Sequence, residues 1–131
     1  MKTHIVRLHP GADLKRSIER YVRENSINAG AMLTCVGSLQ MVTLRMANAK
    51  TAHELEGKFE ILSLVGTLSV NGCHLHISLA DKNGNVTGGH LLEGCLVFTT
   101  AELVMLELKD FVFGREKDQN TGFNELVITE K

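Results

Sequence analysis

The sequence predicts an α+β fold: a mostly antiparallel β-sheet of about seven strands packed against one main N-terminal helix. Three observations carry this expectation. A single amphipathic run near the N-terminus has helical spacing. Nearly every later apolar stretch alternates with period two. Short turn signals rich in Gly, Asn and Asp separate those stretches.

The elements follow in chain order. His4 to Leu8 reads as an opening strand, closed by His9-Pro10-Gly11. Asp13 then stands where a helix N-cap belongs, because its carboxylate can accept from the orphan amides of the first turn. Leu14, Ile18, Tyr21 and Val22 recur at helical spacing against Lys15, Arg16, Glu19, Arg20 and Arg23, so a helix is expected to run to about Asn25. Glu19 and Arg23 form an i, i+4 pair of favourable orientation. Beyond it, Ala31 to Leu39 and Gln40 to Met46 are expected as two strands, and 47–57 as loop. Phe59 to Val65 and Thr67 to Val70 follow as strands. Asn71-Gly72 signals a two-residue hairpin before the strand His74 to Ala80. Asp81 to Asn85 turns the chain into the strand that carries His90. Gly94 to Thr100 and Glu102 to Leu108 read as two more strands, 114–122 as polar loop, and Leu126 to Ile128 as a short closing strand.

Composition narrows the class. With 131 residues, 44% hydrophobic and 22% charged, the chain suits a single globular domain over 1–131. Cys35, Cys73 and Cys95 are odd in number and widely spaced, which argues for reduced thiols and against a disulfide framework. The N-terminus has no signal-peptide pattern, and no apolar run approaches the ~20 residues that span a bilayer. A cytoplasmic protein with no membrane partner is therefore expected. The net charge of −1 exerts no global pull on nucleic acid, yet residues 1–50 carry eight Lys or Arg against three acids. Residues 51–131 carry six against twelve. Such asymmetry suits either a basic binding face or subunits that dock on one another.

The chemistry-bearing feature is a histidine constellation. His74-Leu75-His76 sets two imidazoles on one face of a strand, about 6.5–7 Å apart along it. Two rings at that spacing can converge on one ion at about 2.0–2.1 Å from each nitrogen. His90, on the next strand after Gly88-Gly89, joins them only in one register. A two-residue turn at Asn83-Gly84 would pair His90 with Ile77, on the wrong face. A three-residue loop with Gly84 at positive φ, or a bulge at Gly88-Gly89, would pair it with His76. Three neutral nitrogens with an open position describe a catalytic-type divalent-metal site. Zinc is the first choice by ligand type, and imidazole also suits Fe, Ni and Cu. The same residues also read as sheet histidines bonded to neighbouring carbonyls. His4, His9 and His53 have no such spacing and read as structural or exposed. Glu93, Glu102, Cys95 and Arg45 are candidates for a fourth ligand or an acid-base group. Glu93, three residues after His90, alternates to the opposite face of a regular strand.

These motifs together resemble the PPC domain, the plants and prokaryotes conserved module, over nearly the whole chain. The resemblance rests on Arg7-x-x-Pro10-Gly11-x-Asp13-Leu14, on Gly37-Ser38-Leu39, and on Gly57-Lys58-Phe59-Glu60-Ile61-Leu62-Ser63-Leu64-x-Gly66. Its most specific block is His74-x-His76-x-Ser78-Leu79-x-Asp81-x-x-Gly84-x-Val86-x-Gly88-Gly89-His90-Leu91, followed by Thr99-Thr100-Ala101-Glu102 and Thr121-Gly122-Phe123-x-x-Leu126. The chain is similar to the bacterial and archaeal members in which the domain stands alone. The resemblance implies an antiparallel sheet with a packed helix, assembled as a homotrimer. In plant members the domain follows an AT-hook and serves nuclear protein contacts, and the segment matching Gly57 to Leu62 is associated with partner interaction. Prokaryotic members are often labelled DNA-binding, whereas this sequence has no AT-hook core. The fold also resembles that of acetolactate decarboxylase, whose metal is held by a His-x-His pair and a third, downstream His. Two functions stand open: a metal protein acting on a small molecule, and a DNA-associated regulatory or scaffold protein.

Overall fold

The computed structural model describes residues 1–131. Eight strands and one helix follow in the order β1 (Lys2–Leu8), α1 (Leu14–Glu24), β2 (Gly30–Arg45), β3 (His53–Leu68), β4 (His74–Ala80), β5 (Val86–Leu91), β6 (Leu96–Glu107), β7 (Phe111–Lys117) and β8 (Asn124–Glu130). Six strands form one antiparallel sheet in the order β1-β6-β2-β3-β4-β5, and β7 and β8 form a separate two-stranded ribbon. The far end of β2 pairs again with β5 through Leu44↔Leu91 and Arg45↔His90, so the sheet bends round on itself beside His90.

The helix begins where the cap residue predicts. Asp13 is extended, its Oδ1 accepts from the Arg16 amide at 3.0 Å, and its Oδ2 accepts from the Gly94 amide at 2.7 Å. One carboxylate thus caps α1 and ties it to the segment entering β6. Leu14, Ile18 and Val22 are fully buried and join the core with Leu103 and Met105 of β6. Burying each such side chain contributes about 1.5–3 kcal/mol. Tyr21 is only partly buried, and its hydroxyl meets Nδ1 of buried His4 at 2.9 Å. His4 Nε2 lies 2.8 Å from Glu107, which makes this histidine a structural tie between β1, α1 and β6. Glu19 and Arg23 make no ion pair; on this helix it is Arg16 that pairs, with Glu93 at 2.9 Å.

The expected count of about seven strands in one sheet is corrected to eight in two sheets. Three predicted breaks are absent: 31–46, 59–70 and 94–108 each contribute one long strand instead of two. Glycine explains one of them, at Gly66, and a like close approach falls inside the first long strand at Gly37. A Cβ at Gly37 would fall on the Thr100 carbonyl oxygen, and one at Gly66 on the His74 carbonyl oxygen. These glycines mark places where neighbouring backbones crowd together, and the strands continue through them, β2 with a register shift against β6 after Gly37. The predicted loop 47–57 ends early, because β3 begins at His53. Phe111–Lys117, read in part as polar loop, is a strand that needs only its partner β8. The Asn71-Gly72 hairpin is also wider than expected. Thr67 pairs with His74, and the intervening turn is closed by the Gly72 amide bonding to the Ser69 carbonyl. Ser69 is buried in that turn, where its hydroxyl donates to the Phe113 carbonyl at 2.8 Å.

The two kinds of glycine predict different costs. Nothing lies within 4 Å of a Cβ at Gly84, so Gly84→Ala bears only the left-handed backbone penalty of about 1 kcal/mol. Gly66→Ala must push two strands apart and is expected to cost at least about 2 kcal/mol in urea unfolding. Equal costs would contradict the close-approach role of Gly66.

Candidate metal centre

Strand alternation sorts β4 into two faces. Leu75, Ile77 and Leu79 are buried in the core, whereas His74 and His76 point outward. On β5, Leu91 is fully buried and His90 faces out. The pairing that brings the rings together is His76↔His90, and it continues through Ala80↔Val86 to the turn. There the Asp81 amide bonds to the Asn85 carbonyl, leaving Lys82-Asn83-Gly84 as a three-residue loop with Gly84 at φ 81°. The Asp81 carboxylate accepts from the amides of Asn83 and Asn85 at 2.8 and 2.9 Å, which fixes the loop. No register shift occurs at Gly88-Gly89, so the loop and not a bulge selects the register. Those glycines serve close approach: a Cβ at Gly89 would stand 2.8 Å from the Arg45 carbonyl oxygen.

The result is a cluster. The potential ligand nitrogens of His74, His76 and His90 all lie within 4.8 Å of one another. His74 Nε2 and His76 Nε2 are 3.1 Å apart, and ring centroids lie 4.8 to 5.5 Å from each other. Nitrogens bound tetrahedrally to one ion at 2.0–2.1 Å would be separated by about 3.3 Å. The donor set therefore fits a divalent ion after a small closure of His90. Both resolved shifts favour the neutral imidazoles a metal requires. Burial, then the neighbouring His76, lowers His74. Burial, then the Arg45 guanidinium, pushes His90 down to about 4.

The other candidates fall elsewhere. Glu93 is held by Arg16 beside the helix. Glu102 is exposed, within reach of Thr100. Cys95 is fully buried, bonded to Thr43, and burial raises its thiol to about 11. Only Arg45 reaches the cluster, because it pairs with His90 across β2 and β5. The segment Gly57 to Leu62 lies on β3, with Phe59 and Ile61 buried and Glu60 and Leu62 exposed. Lys58 there places its Nζ 3.5 Å from the centre of the Phe98 ring.

Two adjoining clefts of about 400 and 680 Å³ open over the histidines. Residues to which the sequence reading gave no site role line them: Lys50 from the β2–β3 loop, Arg115 and Glu125 from the ribbon, and Phe123 from its turn. The ribbon is positioned by hydrogen bonds to the Phe113 carbonyl from Ser69 and from Asn71 Nδ2, at 2.8 and 2.9 Å. Two residues further on, Arg115 donates to Thr67 Oγ1 at 3.3 Å, next to His74 in the β3–β4 register.

The lowered His90 predicts a pH dependence of stability in metal-free protein. An unfolded His90 takes up its proton near pH 6.5, and a folded one only near 4. Stability from this group is complete above pH 6.5 and is lost as pH falls toward 4. His90→Gln should flatten that decline in chelator-treated protein unfolded with urea. A decline equal to that of the wild type would refute the assigned cause.

Comparisons with known proteins bear on this arrangement. The family model of the Plants and Prokaryotes Conserved (PCC) domain matches residues 1–109. A bifunctional protein GlmU of Synechococcus sp. (strain JA-2-3B'a(2-13)) is 44% identical over 128 residues, 98% of this chain and 20% of that protein. The chain thus spans about a fifth of the first curated relatives it matches. AT-hook motif nuclear-localized protein 6 of Arabidopsis thaliana is 34% identical over 90% of this chain and 30% of its own length. Among solved structures, a hypothetical protein from Salmonella superposes with a TM-score of 0.97 at 38% identity, covering 99% of this chain and 94% of that one. A metal-containing protein from Archaeoglobus fulgidus gives 0.81 at 30% identity, covering 97% and 94%. Acetolactate decarboxylase from Bacillus subtilis shares the fold, with a TM-score of 0.54 at 18% identity over 80% of this chain and 52% of that one. With its family model spanning β1 to β6, this chain belongs to the Plants and Prokaryotes Conserved domain family.

Proposed function

We propose that this protein is a homotrimeric metal protein that holds one divalent ion per chain on His74, His76 and His90 and uses it to bind or act on a small molecule. The observation that carries the reading is the convergence of three imidazoles from two strands at the floor of an open cleft. Zinc is the ion the all-nitrogen donor set favours, since three histidines with a free position is its usual catalytic arrangement. A divalent ion there would supply Lewis acidity to a bound ligand. The metal-containing relative from Archaeoglobus fulgidus supports the same reading.

Assembly is supported by a bare apolar face. Leu62 and Val65 of β3 are 52% and 56% exposed, and Leu33 and Val36 of β2 are 54% and 57% exposed. Between Ala31↔Thr67 and Gly37↔Ile61 the register sets these residues side by side on the outside of the sheet. Such a patch on neighbouring strands suits burial against other copies of the chain. The three free thiols suit the reducing cytoplasm. DNA association is the second reading, favoured by Arg16, Arg20 and Arg23 exposed along one side of α1. It requires binding that falls steeply with salt, and no affinity at low salt would remove it.

The deciding experiment is elemental analysis of protein purified without chelator, with the mass in solution taken by sedimentation on the same sample. The wild type should carry close to one zinc per chain and sediment at three times 14.4 kDa. His74→Ala and His76→Ala should lose at least about nine-tenths of the metal while staying folded. His53→Ala, exposed at the start of β3, should keep it. Metal absent from the wild type would overturn the metal reading, and a single-chain mass would overturn the assembly.

A further inference from the structure

The histidine cluster sits in an excess of positive charge. Arg45 flanks it on the β5 side, paired with His90 in the sheet. Arg115 flanks it on the β3 side, anchored to Thr67, whose partner in the register is His74. Lys50 lies at the far rim of the larger cleft. Against these cations the clefts offer a single acid, Glu125, which is exposed. Neither arginine forms an ion pair; the ion pairs of the chain are His4–Glu107 and Arg16–Glu93. Arg45 also makes no side-chain hydrogen bond, although it is half-buried.

Arg45 and Arg115 bring two cations without anionic partners to one cleft, and a nearby divalent ion would add to its positive charge. An anion entering the cleft would relieve all three. Guanidinium offers a planar fork of donors matched to carboxylate and phosphate oxygens. The clefts, of about 400 and 680 Å³, suit a small molecule and not a polymer.

We propose that the cleft takes a small oxyanion, a carboxylate or phosphate group, which meets the ion on His74, His76 and His90 from one side and the guanidinium of Arg45 or Arg115 from the other. This inference rests on the metal reading, and it names the class of ligand for that site. Arg45 and Arg115 are the binding residues, reaching the anion from opposite flanks of the histidine cluster.

Cobalt(II)-loaded protein separates the two readings, because cobalt content reports the ion and its visible spectrum reports a ligand arriving at it. Oxalate and inorganic phosphate are titrated into wild type, Arg45→Met and Arg115→Met. All three proteins should bind cobalt in the same ratio. Oxalate or phosphate should perturb the wild-type spectrum, and the dissociation constant should rise at least about tenfold in one or both variants. The tighter of the two anions identifies a carboxylate or a phosphate ligand. Cobalt bound with no response to either anion, or with equal affinity in all three proteins, would overturn the oxyanion proposal and leave the metal centre standing. Failure of the wild type to bind cobalt would overturn both. Arg115 lies on the ribbon outside the main sheet, so its variant keeps the test decisive if Arg45→Met does not fold.

Discussion

The pairing of His76 with His90 is the constraint on which the rest of this molecule depends. Side chains alternate along a strand, so a slip of one residue would turn His90 into the core and Leu91 out of it. The same register that buries Leu75, Ile77 and Leu91 therefore gathers the imidazoles on the opposite face. Packing and chemistry are two faces of one choice. That choice is made by the Lys82-Asn83-Gly84 loop, held by the Asp81 carboxylate and by a glycine that tolerates φ of 81°.

Around this register the structure builds a cleft from unrelated parts. The end of β2 crosses to β5 and delivers Arg45 beside His90. The ribbon of β7 and β8 has little core of its own, with Phe113 as its buried residue. It is pinned instead by the Ser69 turn, which carries Arg115 over His74. Electrostatics then acts twice. Arg45 helps keep His90 neutral, the form a metal ligand would need, and the surplus of cations leaves the cleft positively charged. The two roles do not conflict, since neutral imidazoles bring no charge of their own.

Much of this was legible in the sequence, for identifiable reasons. The helix could be read because Asp13, Leu14, Ile18 and Val22 combine a cap with a 3.6-residue period. The histidine cluster could be read because a period of two and a short glycine-bearing turn leave few registers to choose from. The long strand β3 was misread because Gly66 looks like punctuation in a sequence. Its reason for being glycine, the His74 carbonyl oxygen on the next strand, appears only once β3 and β4 pair. Strand β7 was missed, although its partner was read at Leu126 to Ile128, because Phe111-Val112-Phe113 is followed by Gly114 and three charged residues, a pattern with too few apolar positions to mark a strand. With it went Arg115, Phe123 and Glu125, which reach the cleft only through tertiary anchoring.

The central claim is that the three histidines converge on one ion. X-ray absorption spectroscopy of zinc-loaded protein tests it most directly, because it counts the atoms around the metal and identifies imidazole by its scattering. Convergence of His74, His76 and His90 predicts three histidine nitrogens at about 2.0–2.1 Å together with light-atom scattering from a further ligand. Sulfur at about 2.3 Å, or fewer than three imidazoles, would place the zinc elsewhere and contradict it.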